Sequence, residues 1–172
     1  MNIRDAIRAI VATQAAMEIT APKQVKVAKA WNYQPPQMET LVAALPAWTN
    51  SWDLVREEGS NAATRRRYYT VHMQLHVAQA TNGDDSLAAD IATAFMEVVH
   101  TAFGSRNAAG EGGVTLYGDV AGVQQPTVSL HGFPRGGSPT LALLGDGPVR
   151  TIGLDLFLDI SIADGGPAGG YS

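Results

Sequence analysis

The sequence predicts an α+β fold, and three patterns in its 172 residues lead to that prediction. Apolar and polar residues alternate from Tyr69 to Ala78 and again from Thr151 to Ala163, which is the period of half-buried strands. Between these segments, apolar residues recur at helical spacing from Leu87 to Ala102. We therefore expect a mixed, largely antiparallel sheet flanked by two helices.

The first half of the chain contains the other predicted helix and two less regular strands. Residues 2–17 place Ile, Ala and Val side chains along one stripe, which predicts an amphipathic helix. Residues 23–33 and 51–58 are predicted strands. The segment 38–48 between them fits either a helical turn or a short strand, because Pro46 interrupts it.

The second half contains the longer helix and several strands. The helix is predicted to begin at Asp85 or Ser86, which are good N-cap residues, and to end at Gly104. Two shorter strands are predicted at 114–118 and 127–133. We divide the chain into one α+β domain at 1–163 and a flexible, glycine-rich arm at 164–172.

The closing strand, Thr151–Ala163, is unusually long and needs long partners. Thirteen extended residues span roughly 43 Å at about 3.3 Å each. The segment 140–144, which precedes it across a turn at 145–147, is too short to pair with the whole strand. We expect a strand of a neighbouring subunit to complete the pairing. The alternative is one bent strand shared by two neighbours in its own sheet.

Asp155 and Asp159 lie four residues apart on the polar face of the closing strand. Two carboxylates in such positions could hold a metal ion or act as an acid and base pair. The more common interpretation is that they lie on the solvated side of a sheet.

His72 and His76 share the polar face of their strand, where a spacing of four residues separates them by roughly 13 Å. Both therefore cannot bind one metal ion directly. A metal-dependent hydrolase that uses His72, His76, Asp155 and Asp159 requires the two strands to be neighbours with all four residues on one face.

Arg65, Arg66 and Arg67 form the one basic cluster of the sequence, with Arg56 upstream. Such a cluster could contact a DNA backbone or an acidic partner surface. The more common interpretation is the solvated start of a strand.

Another hypothesis is that the chain is a glycan- or peptide-binding β module that stacks its ligand on aromatic side chains. Its candidate platform is Trp31, Tyr33, Trp48 and Trp52. Aromatic residues near turns more often anchor a loop to the core.

Composition and missing motifs exclude several classes of function. The net charge of −4 argues against a dedicated nucleic-acid binder, and the absence of cysteine excludes disulfides and zinc–thiolate sites. Phosphate-binding glycine loops, H-E-x-x-H and G-x-S-x-G are absent. No segment has the pattern of a signal peptide or a membrane span, so we expect a soluble, cytoplasmic protein. Because the catalytic motifs are absent, we also expect a non-enzymatic protein without cofactor or metal.

The order of elements resembles the tail terminator family of long-tailed bacteriophages, also called tail-completion or minor tail protein U-like proteins. The resemblance covers about residues 1–163. It rests on the order of the elements and on short segments typical of the family, and not on a strict motif. The segments that carry it are IRDAIRAIVA, VKVAKAWNYQPP, LVAALPAW, RRRYYTVHMQLHV, LAADIATAFMEVVHTAF and RTIGLDLFLDISI. The chain differs from smaller members in its longer glycine-rich loops, 104–113 and 132–139, and in its C-terminal arm.

The resemblance implies a virion protein of the tail or neck, assembled in the host cytoplasm. Six copies would form a ring that caps the tail-tube protein, stops its polymerisation and joins the head–tail connector protein, while DNA passes transiently through the lumen. Asp155 and Asp159 are then candidates to face the lumen, and Arg65, Arg66 and Arg67 to contact a partner or DNA. The alternatives within this class are a tail-tube subunit and a head–tail joining protein.

Overall fold

A computed structural model of the chain describes residues 3–33, 37–59, 65–81, 83–104, 116–120, 123–130, 134–136, 142–144 and 147–163. The helices are α1 (Ile3–Ala15), α2 (Met38–Val42) and α3 (Ser86–Gly104). The strands are β1 (Glu18–Ile19), β2 (Val25–Lys26), β3 (Lys29–Ala30), β4 (Ala47–Glu58), β5 (Arg66–Gln79), β6 (Leu116–Val120), β7 (Val123–Leu130), β8 (Arg135–Gly136), β9 (Ala142–Leu144) and β10 (Thr151–Ala163). The predicted α+β class is confirmed.

Eight of these strands form one sheet. Its order is β3-β4-β5-β10-β7-β6, and the short strands β8 and β9 also pair with β10. Every pairing in this sheet is antiparallel except β3 with β4. The prediction of a mixed, largely antiparallel sheet is therefore confirmed, and the separate pair β1–β2 lies outside that sheet.

The helices α1 and α3 pack on the same face of the sheet, and the core lies between them and the strands. Strand alternation sends one face of β5 and of β10 into this core, including Met73, Leu75, Leu156 and Leu158. The largest apolar side chains that cover them from α1 and α3 are Ile7, Ile10, Phe95 and Phe103. Within the described residues, no helix is long and apolar enough to cross a membrane.

The long closing strand β10 lies inside the sheet and is not an edge strand. One side pairs with β5 in a ladder that runs from Thr151–Gln79 to Ala163–Arg66. Its other side is shared by β9, β8 and β7. The expectation that a neighbouring subunit must complete this strand is therefore wrong, because long-range partners within the chain pair with both edges. The alternative, a strand shared within its own sheet, is correct in that respect, but β10 is shared by four strands rather than two.

The segment 23–33 is not one strand, because its backbone changes partner along its length. β2 pairs with β1, the Val27 and Ala28 amides donate to the Met17 and Pro46 carbonyls, and β3 pairs with β4. The ambiguous segment 38–48 begins as the short helix α2 and then enters β4 at Ala47.

The mid-chain helix begins at Ser86, directly after Asp85, and these are the two predicted cap residues. The Asp84 carboxylate accepts a hydrogen bond from the Ser86 amide at 2.9 Å. Hydrogen bonds from the Ser86 side chain and from this amide lower the pKa of Asp84. The Asp85 side chain instead accepts from Thr81. The predicted loops 104–113 and 132–139 lie mostly, and the predicted arm 164–172 entirely, outside the described residues.

A buried amide pair joins α1 to β4. Gln14 Nε2 donates to Asn50 Oδ1 at 2.9 Å, and Asn50 Nδ2 donates to Gln14 Oε1 and to the Trp31 carbonyl, each at 2.8 Å. Both side chains are buried. The reciprocal pair therefore fixes the position of α1 on the sheet with its polar atoms satisfied.

We expect Gln14→Leu to lower the free energy of unfolding by about 2 kcal/mol, because it leaves the buried Asn50 amide without its reciprocal partner. Urea unfolding of the two proteins measures the difference. The matched control is Gln37→Leu at an exposed position, where we expect a change within about 0.5 kcal/mol. Equal effects of the two substitutions would contradict the role given to the pair.

Candidate functional site on the polar face of the sheet

The candidate site is the polar face of β4, β5 and β10, on the side of the sheet away from α1 and α3. The ladder places Asp155 opposite Gln74, Phe157 opposite His72, and Asp159 opposite Thr70. The two candidate aspartates therefore lie on one sheet face, and their side chains are 37% and 35% exposed. This face is polar because it receives the alternate residues that the core does not use.

Asp155 is held by the strand beside it. Its Oδ1 contacts His72 Nε2 and accepts a 3.3 Å hydrogen bond from Gln74 Nε2. The His72 ring stacks on Phe157, with centroids 4.5 Å apart and planes 8° from parallel. The carboxylate, imidazole and phenyl ring thus form one ordered cluster on the sheet.

Asp159 has a separate set of partners. Thr70 Oγ1 donates to its Oδ1 at 2.7 Å, and an Arg135 guanidinium nitrogen lies 2.9 Å from the same oxygen. Arg135 reaches it because β8 pairs with β10 at Phe157. The guanidinium offsets the negative charge of the Asp159 carboxylate.

His76 lies on the same face at its buried end. Its Nδ1 is 2.6 Å from Thr151 Oγ1 and its Nε2 is 3.0 Å from Thr49 Oγ1, so the ring bridges β10 and β4. Burial lowers the pKa of His76 to about 4 and outweighs the opposing effect of Asp155. The imidazole is therefore neutral at pH 7, with both nitrogens in hydrogen bonds.

The four residues of the hydrolase hypothesis do lie on one face of neighbouring strands, as that hypothesis requires. They form separate contacts, however: His72 with Asp155, His76 with two threonines, and Asp159 with Thr70 and Arg135. The described residues contain no cluster of three or more potential metal ligands. Among the described residues, these four side chains therefore do not form the shared metal site that the hydrolase hypothesis requires.

The arginine cluster lies at the far end of the same sheet. Arg65 precedes β5, while Arg66 and Arg67 begin it opposite Glu58 and Glu57 of β4. Arg65 and Arg66 are exposed. The cluster therefore faces acidic residues of its own hairpin across the strand pair, which reduces its net positive potential.

A cavity of about 560 Å³ opens between this end and Asp159. Its charged and polar lining comprises Arg56, Tyr68, Thr70, Arg135 and Asp159. Arg56 lies over the Tyr68 ring at 4.1 Å and contacts Glu58 at 2.5 Å, and the Tyr68 hydroxyl donates to Glu58 at 2.9 Å. No local pattern in the sequence signals the approach of Arg135 to Asp159, because it depends on the pairing of β8 with β10.

The aromatic residues of the binding-module hypothesis do not form one platform. Trp48 is fully buried in the core, Trp31 and Trp52 are half-buried, and Tyr33 is exposed. A fully buried indole is inaccessible for stacking on a ligand, so Trp48 anchors the chain in the core, as the more common interpretation holds.

No protein-family model, curated protein or solved structure matches the chain.

Proposed function

We propose that the chain is a tail terminator of a long-tailed bacteriophage, a virion protein that forms a hexameric ring. The ring caps the tail-tube protein, stops its polymerisation and joins the head–tail connector protein. The observation that supports this most is the arrangement of the elements on which the resemblance rests. The helices α1 and α3 cover one face of a sheet whose central strands, β5 and β10, are its longest.

The two ends of the sheet, as the described residues form it, support ring formation. β4 lies near one end of the strand order and β6 at the other, and the two strands run in the same direction. Head-to-tail contacts between unlike surfaces close into a ring when the rotation from one copy to the next is an equal fraction of a full turn. Within this proposal the neighbours meet at these ends, whereas β10 stays inside each subunit.

In the ring, we place the polar face of the sheet toward the lumen, with Asp155 and Asp159 in its wall. Arg135 offsets the charge of Asp159 and so weakens the net charge of this wall. We expect DNA to slide along it, because its phosphates are neither bound nor strongly repelled. Arg65, Arg66 and Arg67, at the end of the hairpin, are placed toward the tail tube or the connector.

Electron microscopy of the purified chain, with light scattering, tests the proposal. We expect closed rings with six times the mass of the chain and no longer assembly. Open-ended tubes would instead identify a tail-tube subunit. If the chain forms no ring, either alone or on purified tail tubes, the result contradicts the proposed terminator function.

A further inference from the structure

The outer edge of β4 is open along most of its length. β3 pairs only with Ala47 and Trp48, and no other strand of the described part of the chain pairs with this edge. Leu54 and Val55 lie on the open stretch with 52% and 61% exposure. An edge with unpaired backbone groups and exposed aliphatic side chains is a template for another strand.

A shift of register at Val55 places two opposite charges of this edge, Asp53 and Arg56, on one face of the sheet. Asp53 lies opposite Thr70 and Arg56 lies opposite Tyr68, with the shift between Leu54 and Arg56. Since Thr70 and Tyr68 are two residues apart on β5, they share a face. Asp53 and Arg56 therefore lie on the same face, although an odd spacing on a regular strand would separate them.

We infer that this edge pairs antiparallel with the same edge of a second copy of the chain, around a two-fold axis between Leu54 and Val55. In that register each Asp53 lies opposite Arg56 of the other copy, and each Leu54 lies opposite Val55. The interface has an apolar centre flanked by two identical ion pairs.

The edge fits a copy of itself better than an unrelated strand. A two-fold interface uses one surface twice, so one acidic and one basic residue placed evenly about the axis satisfy each other in both copies. The pairing also closes the exposed edge of both copies at once. Arg56 keeps its contact with Glu58, because a guanidinium has five N–H donors.

This dimer does not rest on the proposed function. The proposed ring uses this same edge of β4, so the dimer is the state of copies outside a ring, and a copy has to leave the dimer before it joins a ring. A two-fold dimer and a six-membered ring differ in mass and symmetry, so the failure of one is separable from the failure of the other.

Sedimentation equilibrium of the full chain tests the pairing through charge reversal. We expect Asp53→Arg and Arg56→Asp each to weaken dimerisation by about tenfold or more, because like charges then face each other at both ends. The double variant Asp53→Arg/Arg56→Asp restores opposite charges and should recover most of the affinity. A wild-type chain that stays monomeric at millimolar concentration, or a double variant no better than the single ones, overturns the inference.

A second measurement avoids the charged residues. The chain has no cysteine, so a spin label on Leu54→Cys reports its own position alone. We expect a label-to-label distance below about 20 Å in the dimer, because paired strands lie only about 5 Å apart. A label on Leu87→Cys, exposed at the start of α3, serves as the control and should give no such distance. Equal distances at the two positions, or no short distance at Leu54→Cys, overturn the pairing.

Discussion

Replacing Gly153 with alanine should destabilise the fold by about 3 kcal/mol or more. A Cβ atom at this position would lie 1.6 Å from the Leu75 carbonyl oxygen and 2.7 Å from its carbon. Both are backbone atoms of the neighbouring strand, so no side-chain rotation relieves the clash. The ladder between β10 and β5 shifts register between Ile152 and Gly153, which brings the two backbones together at this point.

Chemical unfolding with urea or guanidinium measures this cost, and Gly83→Ala is the matched control. A Cβ atom at Gly83 would meet only Thr81 Oγ1, at an ordinary contact distance of 3.6 Å. We expect the control to change the free energy of unfolding by less than about 1 kcal/mol. A Gly153→Ala protein as stable as the Gly83→Ala protein would show that β10 does not approach β5 in this way.

Acid should destabilise the protein through His76 by about 3 kcal/mol between pH 7 and pH 4. The pKa of His76 is lowered from 6.5 to about 4, so the unfolded chain binds the proton more tightly than the folded one. The contribution is complete above pH 6.5 and is lost as the pH falls through 4. Its physical origin is the cost of charging an imidazole that is buried between Thr49 and Thr151.

The measurement is urea unfolding of the wild type and of His76→Gln across pH 7 to pH 4. Glutamine still forms hydrogen bonds but does not titrate, and the carboxylates of the chain titrate in both proteins. The difference between the two curves therefore isolates the histidine. We expect the wild type to lose more stability than the variant toward acid, and parallel curves would contradict the buried, neutral state of His76.

The segments that the sequence predicted best are those with a strong period. β5, α3 and β10 have close to their predicted bounds, because burial of one face imposes alternation on a strand and a stripe on a helix. The segment 23–33 was predicted poorly, since hydrogen bonds to Met17 and Pro46 decide its breaks. Such bonds join residues whose proximity no local pattern encodes.

The pairing partners of β10 also could not be predicted from local sequence patterns. Its length was predicted correctly, but the partners of its two edges depend on pairing with strands far away in the chain. The shared face of Asp155 and Asp159 follows from their spacing alone. Their contacts with His72 and Arg135 do not, because these depend on the registers of β5 and β8.

The two sides of β10 differ in how many separate chain segments supply them. On one side, β5 pairs with β10 along its whole length. On the other side, β9, β8 and β7 pair with residues 151–153, 156–157 and 160–162 of β10. Because β9, β8 and β7 each pair with β10 separately, a change in the length of chain between two of them leaves the register of β5 and β10 unchanged, so this side of the sheet can vary in length while the central strand pair keeps its geometry.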